Sequence, residues 1–413
     1  MTDRKVVLAD GLTPLPERML LAHACGDVMF LCGAGISMPA KLPGFRSLVG
    51  DVYETLDAGL HAAYALENRR WLAATSNDGE KAKTLAAELA DRVDALEPAQ
   101  QAEWNHFART QRFDVALGML ERRLDAAPDL ASTVRRAVAD RLRRDNPKKA
   151  RQHRALMKLS DRGGALRIAT TNYDLLLEAA ASRTQHPLRT HSLSALPRPS
   201  RRPEFSGVFH LHGALERRKD RYSDILLTDR DFGEYYLQRH AVPDFIHDAA
   251  RLFNLVLVGY SAEDPPMRYL LDAVAADSTR FSDLRERFAF VSISNDDSEA
   301  AVLADWTGRG ITPIPYAAGD GHSQLLHTLE LWQKLSAPTT GERTAAAMMI
   351  RIARTSRANA SVDARDLFDF LIRRSNANER ERLIEPLQRV RAAFDWLDAI
   401  VQIVAESGRE TAA

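Results

Sequence analysis

Cysteine is almost absent from this chain: Cys25 and Cys32 are the only two. That excludes a disulfide framework and any zinc site needing three or four thiolates, and it fits a reducing compartment. Net charge is lacking as well, because 56 basic residues balance 56 acidic ones. No global field draws the chain to nucleic acid or anionic lipid, so neither is expected as a direct partner. No stretch approaches 18 uninterrupted apolar residues, and the first residues show no charged region followed by a long apolar run. Membrane insertion and export are therefore not expected, and a cytoplasmic location is. Low-complexity tracts, solenoid-period repeats, a G-x-x-x-x-G-K-[ST] phosphate loop and an H-E-x-x-H metal motif are also missing. The basic cluster within 135–149 reads as the solvated face of a helix.

What is present suffices for a large core, since 45% of the 413 residues are hydrophobic. Six short apolar runs, at 28–31, 166–169, 208–211, 255–258, 288–293 and 311–314, are bounded by glycine, proline or polar residues and read as buried strands. Helical patterns at 175–181, 267–276 and 323–335 alternate with them. That alternation predicts an α/β fold, a Rossmann-like doubly wound parallel sheet of about six strands. Residues from about 57 to 160 read as a helical insertion, and 345–405 as two or three further helices broken near Ser375 and Asn378. The expected organisation is a catalytic domain over 1–335 followed by a helical region over 336–413 that contacts an oligomer mate or a partner.

Chemistry concentrates where strands end. The first strand runs into Gly33, Ala34, Gly35, Ile36 and Ser37, a turn whose missing Cβ atoms suggest backbone amides free to meet a pyrophosphate. Pro43, Gly44, Phe45 and Arg46 follow after a short loop. The second strand ends in Thr170, Thr171, Asn172, Tyr173 and Asp174, and the third in His210, Leu211, His212 and Gly213. Three such blocks in this order resemble the sirtuin family, with its GAGxS turn, its Thr-Gln-Asn-Ile-Asp block and its catalytic His-Gly pair. Gly259, Tyr260 and Ser261 resemble the family's phosphate-lining Gly-Ser element, and Asn295 its ribose-binding asparagine; Gly259 and Ser261 also fit a plain turn.

Protein-deacetylating sirtuins carry a zinc module with two cysteine pairs, and this chain has no C-x-x-C. The resemblance therefore lies with the zinc-free bacterial branch found in antiphage defence, which implies NAD as substrate, no zinc, and hydrolysis of NAD to nicotinamide and ADP-ribose. It further implies an effector that depletes cellular NAD in an abortive infection, a homo-oligomer, and a separate partner such as a HerA-type hexameric ATPase. Deacylation or ADP-ribosyl transfer, and a non-catalytic NAD or ADP-ribose sensor, remain open alternatives. On the leading reading Asn172 orients the ribose and a water while staying neutral near a developing cation, and His212, ordinarily titrating near 6.5, is the general base. Asp174 holds the ribose or opens the next helix. Arg46 pairs with a phosphate or steadies its loop, Phe45 covers the nicotinamide, Ser37 donates to the pyrophosphate, and Thr171 joins Gly33, Ala34 and Gly35 around the cofactor. His210 and His212 alternate along a strand, so only His212 is expected to face the site.

Overall fold

The computed structural model describes residues 4–76, 78–127, 131–144, 150–162, 164–181, 188–215, 225–260, 284–294, 298–338, 340–389 and 394–410. The strands in chain order are β1 (Lys5–Val6), β2 (Leu15–Pro16), β3 (Val28–Cys32), β4 (Asp161–Arg162), β5 (Ala165–Thr170), β6 (Thr190–Ser192), β7 (Gly207–His210), β8 (Asn254–Val258), β9 (Arg287–Ile293) and β10 (Thr312–Ala317). β1 and β2 form a small antiparallel ribbon. The main sheet has the order β10-β9-β8-β3-β5-β7-β6, with every neighbouring pair parallel and β4 added antiparallel to β5. All six expected strands are present within this doubly wound Rossmann-like sheet.

The strand order explains the composition of the strands. β3, β5, β7 and β8 are buried along their whole lengths, so both faces are largely apolar and the sequence shows apolar runs instead of alternation, interrupted in β5 by Arg167, whose guanidinium donates to Phe205 O. Side chains still alternate between two cores. Val28, Phe30 and Cys32 join one apolar cluster with Trp332 of helix Gly319–Ser336, whereas Met29 and Leu31 join the opposite one with Phe245 of helix Ala241–Leu252. β3 leads to β5 on one side, and the chain later returns to β8 on the other. The connection reverses direction between β3 and β8, which is where an open α/β sheet leaves a crevice at its carboxyl edge.

The insertion is helical, from Phe45–Leu56 through Arg151–Ser160, and has its own core around Tyr53, Trp104, Phe107 and Leu117. Tyr173, Ile225 and Leu227 of the sheet's loops belong to that core, so the insertion is packed onto the site's rim. Arg135 departs from the expected solvated face. It is buried, paired with Glu121 and Asp231 at 3.1 and 2.7 Å, because two carboxylates and the Ile225 carbonyl satisfy its guanidinium.

After β10 the described chain has helices Gly319–Ser336, Gly341–Ile352, Val362–Arg373, Ala377–Arg389 and Phe394–Glu410. The region 345–405 thus holds four helices where two or three were expected. The break near Ser375 falls between Val362–Arg373 and Ala377–Arg389 as anticipated. Leu367, Phe368, Leu371 and Trp396 share one continuous apolar cluster with Phe30 and Val256 of the sheet. The tail therefore covers a sheet face as an added helical layer. Arg373 pairs with Glu17 at 2.6 Å, tying it to the first helix, Glu17–Ala24. Residues 267–276 lie outside the described ones. No described helix is long and apolar enough to cross a membrane.

Candidate active site

At the carboxyl edge, the turn after β3 crosses the turn after β8 at backbone contact. The Gly33 amide donates to Val258 O at 2.9 Å and the Gly35 amide to Gly259 O at 2.8 Å. A Cβ on Gly33 would stand 2.7 Å from Gly259 O, and one on Gly35 2.8 Å from Gly259 Cα. Gly259 itself has φ +72, a conformation that disfavours any side chain. The glycines are thus needed for this crossing. The expected role for the Gly33 and Gly35 amides, donation to a pyrophosphate, is corrected, since both already bond within the protein. The amides of Ile36 and Ser37 are likewise taken, by Gly33 O and Ala34 O.

Above the crossing lies a cavity of about 450 Å³. Gly33, Ala34, Gly35, Ser37 and Gly259 line it from the two turns, and Phe45 and Arg46 from the start of helix Phe45–Leu56. Thr171, Asn172, Asp174 and His212 line it from the ends of β5 and β7. Eleven of the thirteen expected residues therefore share one cavity. Ser261 and Asn295 lie outside the described residues.

Asn172 is held from three directions. Its Nδ2 donates to Gly33 O and to Ser37 Oγ, each at 3.1 Å, and its backbone amide donates to Thr170 Oγ1 at 3.0 Å. Oδ1 is the half of the amide without a protein donor among the described residues. Ser37 is the hub: its hydroxyl donates to Asp174 Oδ2 at 2.9 Å and meets His153 Nε2 at 3.1 Å. A hydroxyl has one proton to give, so His153 must donate through Nε2 and keep Nδ1 bare. That Nδ1 is buried and has no partner, and burial depresses the His153 pKa, consistent with a neutral ring. Ser37 thus supports Asn172, where donation to a pyrophosphate had been expected. Asp174 also accepts from the Leu176 amide at 3.0 Å, so its helix-opening role is real and coexists with its place in the cavity.

His212 faces the cavity, as expected, with its Nε2 2.6 Å from the Tyr236 hydroxyl and Phe232 edge-on at 5.5 Å. Burial alone pushes its pKa down to about 3. The anticipated ordinary basicity is therefore corrected: the ring is neutral and a poor proton acceptor until charge is brought to it. Tyr236 comes from a wide helical turn, Gly233–Gln238, closed by an i to i+5 bond from the Arg239 amide to Glu234 O at 2.7 Å. Asp231, just before this turn, is the carboxylate gripped by Arg135.

Arg46 is exposed, lines the cavity, and meets no carboxylate among the described residues. Phe45 packs edge-on against Phe113 at 6.1 Å. Thr171 Oγ1 lies 3.1 Å from the Tyr260 hydroxyl, whose ring covers Gly33. At the far end Tyr316 and His322 line the wall, 3.2 Å apart through OH and Nδ1. His322 and Asp320 are both in the left-handed region. Sequence reasoning gave no role to His153, Tyr236, Tyr260, Tyr316 or His322, although Tyr260 lies within the Gly-Tyr-Ser element at 259–261. No cluster of three or more His, Cys, Asp or Glu side chains suited to a metal ion occurs among the described residues.

Comparison with known proteins bears on this geometry. Residues 166–314 match the SIR2-like domain. The match runs from β5 to β10, taking in the loops of Asn172, His212 and Gly259, and it supports sirtuin-like membership. The chain is also 33% identical over 327 residues to a protein of Sinorhizobium fredii, Uncharacterized protein y4cA. That stretch covers 76% of this chain and 23% of the relative's length.

Proposed function

We propose that this SIR2-like chain is an NAD glycohydrolase that splits the bond between nicotinamide and C1′ to release nicotinamide and ADP-ribose. The observation that carries the proposal is the convergence of the Asn172 amide and the His212 imidazole on one cavity at the sheet's reversal point. Nicotinamide is a cationic leaving group in NAD, so C–N cleavage leaves positive charge on the ribose. The Oδ1 of Asn172, fixed by the two bonds made at Nδ2, presents a partial negative charge suited to that carbon without a formal charge to desolvate. A pre-set dipole of this kind stabilises the developing cation with little reorganisation.

Water supplies the new C1′–O bond, the C1′–N electron pair leaves with the nicotinamide, and one proton is released. His212 is placed to accept that proton through the hydrogen bond it shares with Tyr236. Its low basicity means that bound diphosphate, a nearby anion, must raise its pKa for the step to proceed. The Arg46 guanidinium, which meets no carboxylate among the described residues, is suited to hold that diphosphate. Phe45 and Phe232 furnish an apolar wall that limits water around the reacting carbon.

The physiological role we infer is defence by NAD depletion, with the insertion and tail serving an oligomer or a separate ATPase partner of the HerA type. Mass spectrometry of NAD incubations, with and without an acetylated peptide, tests the chemistry. Nicotinamide and ADP-ribose in equal amounts support hydrolysis. O-acetyl-ADP-ribose would assign deacylation, and tight NAD binding with no product would assign a sensor.

A further inference from the structure

Beneath Asn172, outside the cavity, His210 is fully buried with Glu178 beside it. Its Nδ1 is 2.9 Å from the Asn172 carbonyl oxygen, and its Nε2 is 2.9 Å from Glu178 Oε1. Both partners are acceptors. A neutral imidazole carries one N–H and cannot serve two acceptors, so with an ionised Glu178 both ring nitrogens must be protonated. The pair is 0% and 8% exposed at its side chains, which strengthens the attraction between unlike charges and makes loss of either one costly.

From this geometry we propose that the Glu178–His210 ion pair is a positioning device for the NAD-cleaving amide, with the protonated ring fixing the Asn172 backbone so that its side chain reaches Gly33 and Ser37. The proposal rests on the glycohydrolase reading above. Its physical content is a mechanical one. The Leu211 amide donates to Thr170 O at 2.8 Å, which laces β7 to the end of β5, and the Asn172 amide turns back onto Thr170 Oγ1 at 3.0 Å. The His210 bond to the Asn172 carbonyl is the next rung, followed by the bond from the Leu215 amide to Tyr173 O at 2.8 Å, and it holds the carbonyl of the residue whose side chain enters the cavity. Removing one proton breaks either that rung or the bond to Glu178.

The charged and titratable groups facing His210 are Glu178 on helix Leu176–Ala180 and Asp174 in the loop before it, and both carboxylates also act on His153 of helix Arg151–Ser160. Thr190 of β6 donates to Glu178 Oε1 at 2.9 Å. The two carboxylates outweigh burial and hold the His210 pKa above its ordinary 6.5. Glu178 is correspondingly held below the usual carboxylate range, despite burial, by its bond to His210.

Two measurements on the full chain test this. Ring nitrogen-15 NMR of histidine-labelled protein, with His210 assigned by its loss in His210→Gln, should show two protonated nitrogens at neutral pH and a titration above 6.5 that moves down in Glu178→Gln. In NAD turnover, the alkaline fall of kcat should follow that titration and shift with it in Glu178→Gln. Folded His210→Gln should keep KM within about twofold, lose the alkaline limb and lose about tenfold or more in kcat, the scale of a mis-set reacting group. A singly protonated His210 at neutral pH, or a His210→Gln enzyme with wild-type kcat and pH profile, would overturn the proposal. The spectrum needs no turnover, so a wild type inert toward NAD would sink the glycohydrolase reading while the spectrum still decided the ion pair.

Discussion

Replacing Gly259 by alanine probes the backbone crossing on which the cavity stands. The new Cβ would lie 2.5 Å from Ile36 N and 2.8 Å from Ile36 Cγ2, contacts that backbone must move to relieve. Holding a non-glycine residue at φ +72 costs roughly 1–2 kcal/mol, and overpacking typically adds about 1–3 kcal/mol. The sum, about 2–5 kcal/mol, corresponds to a fall of roughly 2–6 °C in Tm, since unfolding entropy is about 2.1 cal/mol/K per residue and the chain has 413 residues. Relief of the clash pulls Gly259 O away from the Gly35 amide, so NAD affinity should fall with stability. Differential scanning fluorimetry with and without NAD reads both. Gly79→Ala is the control, because nothing lies within 4 Å of its Cβ and it opens helix Gly79–Asp94, where alanine is tolerated or favoured. A Gly259→Ala protein melting within about 1 °C of wild type, with unchanged NAD response, would refute the crossing.

Three further outcomes follow from the same contacts. Arg135→Met leaves Glu121 buried without its cation and frees Asp231, so chemical denaturation should show a loss of about 3–5 kcal/mol, and a change under about 1 kcal/mol would contradict the buried clamp. Ser37→Ala strips Asn172 Nδ2 and His153 Nε2 of an acceptor at about 1–3 kcal/mol, and kcat should drop with KM little altered; unchanged kcat would show that Ser37 does not set the amide. His23 and His212 are both buried neutral with pKa pushed down to about 3, so unfolded chain takes up protons below 6.5 that the fold refuses. Stability should therefore decline as pH falls from 6.5 toward 3, by up to about 1.4 kcal/mol per pH unit for each ring. The raised His210 acts oppositely, its contribution being complete below 6.5 and lost as pH climbs through its folded value. A Tm that stays level between neutrality and about pH 5 would contradict both buried rings.

The parallel strands were legible because burial on both faces leaves little room for polar residues, so β3, β7 and β8 each appear as an apolar run closed by polar or glycine punctuation, and β5 does so but for Arg167. The short additions were not: β6 is Thr-His-Ser, and β1, β2 and β4 have two residues each, too few to express a period. Asn172, Asp174 and His212 could be brought to one edge by the rule that ligands gather where parallel strands end. What the rule could not supply was their surroundings. The bare Nδ1 of His153, the Tyr236 cap on His212 and the Glu178 partner of His210 come from helices and loops far along the chain, and only packing brings them in. The depressed basicity of His212 is a tertiary effect of this kind, since nothing in the segment His-Leu-His-Gly distinguishes a dry imidazole from a wet one. Gly33 and Gly35 were found for one reason and are required for another, because the backbone they admit belongs to Gly259.

The account stands most directly on NAD consumption by Asn172→Ala, measured as nicotinamide released per mole of protein whose circular dichroism and melting match wild type. Loss of the amide should leave the fold standing and reduce release by at least about a hundredfold, the scale of a removed electrostatic stabiliser. Undiminished release from a folded Asn172→Ala protein would place the chemistry elsewhere.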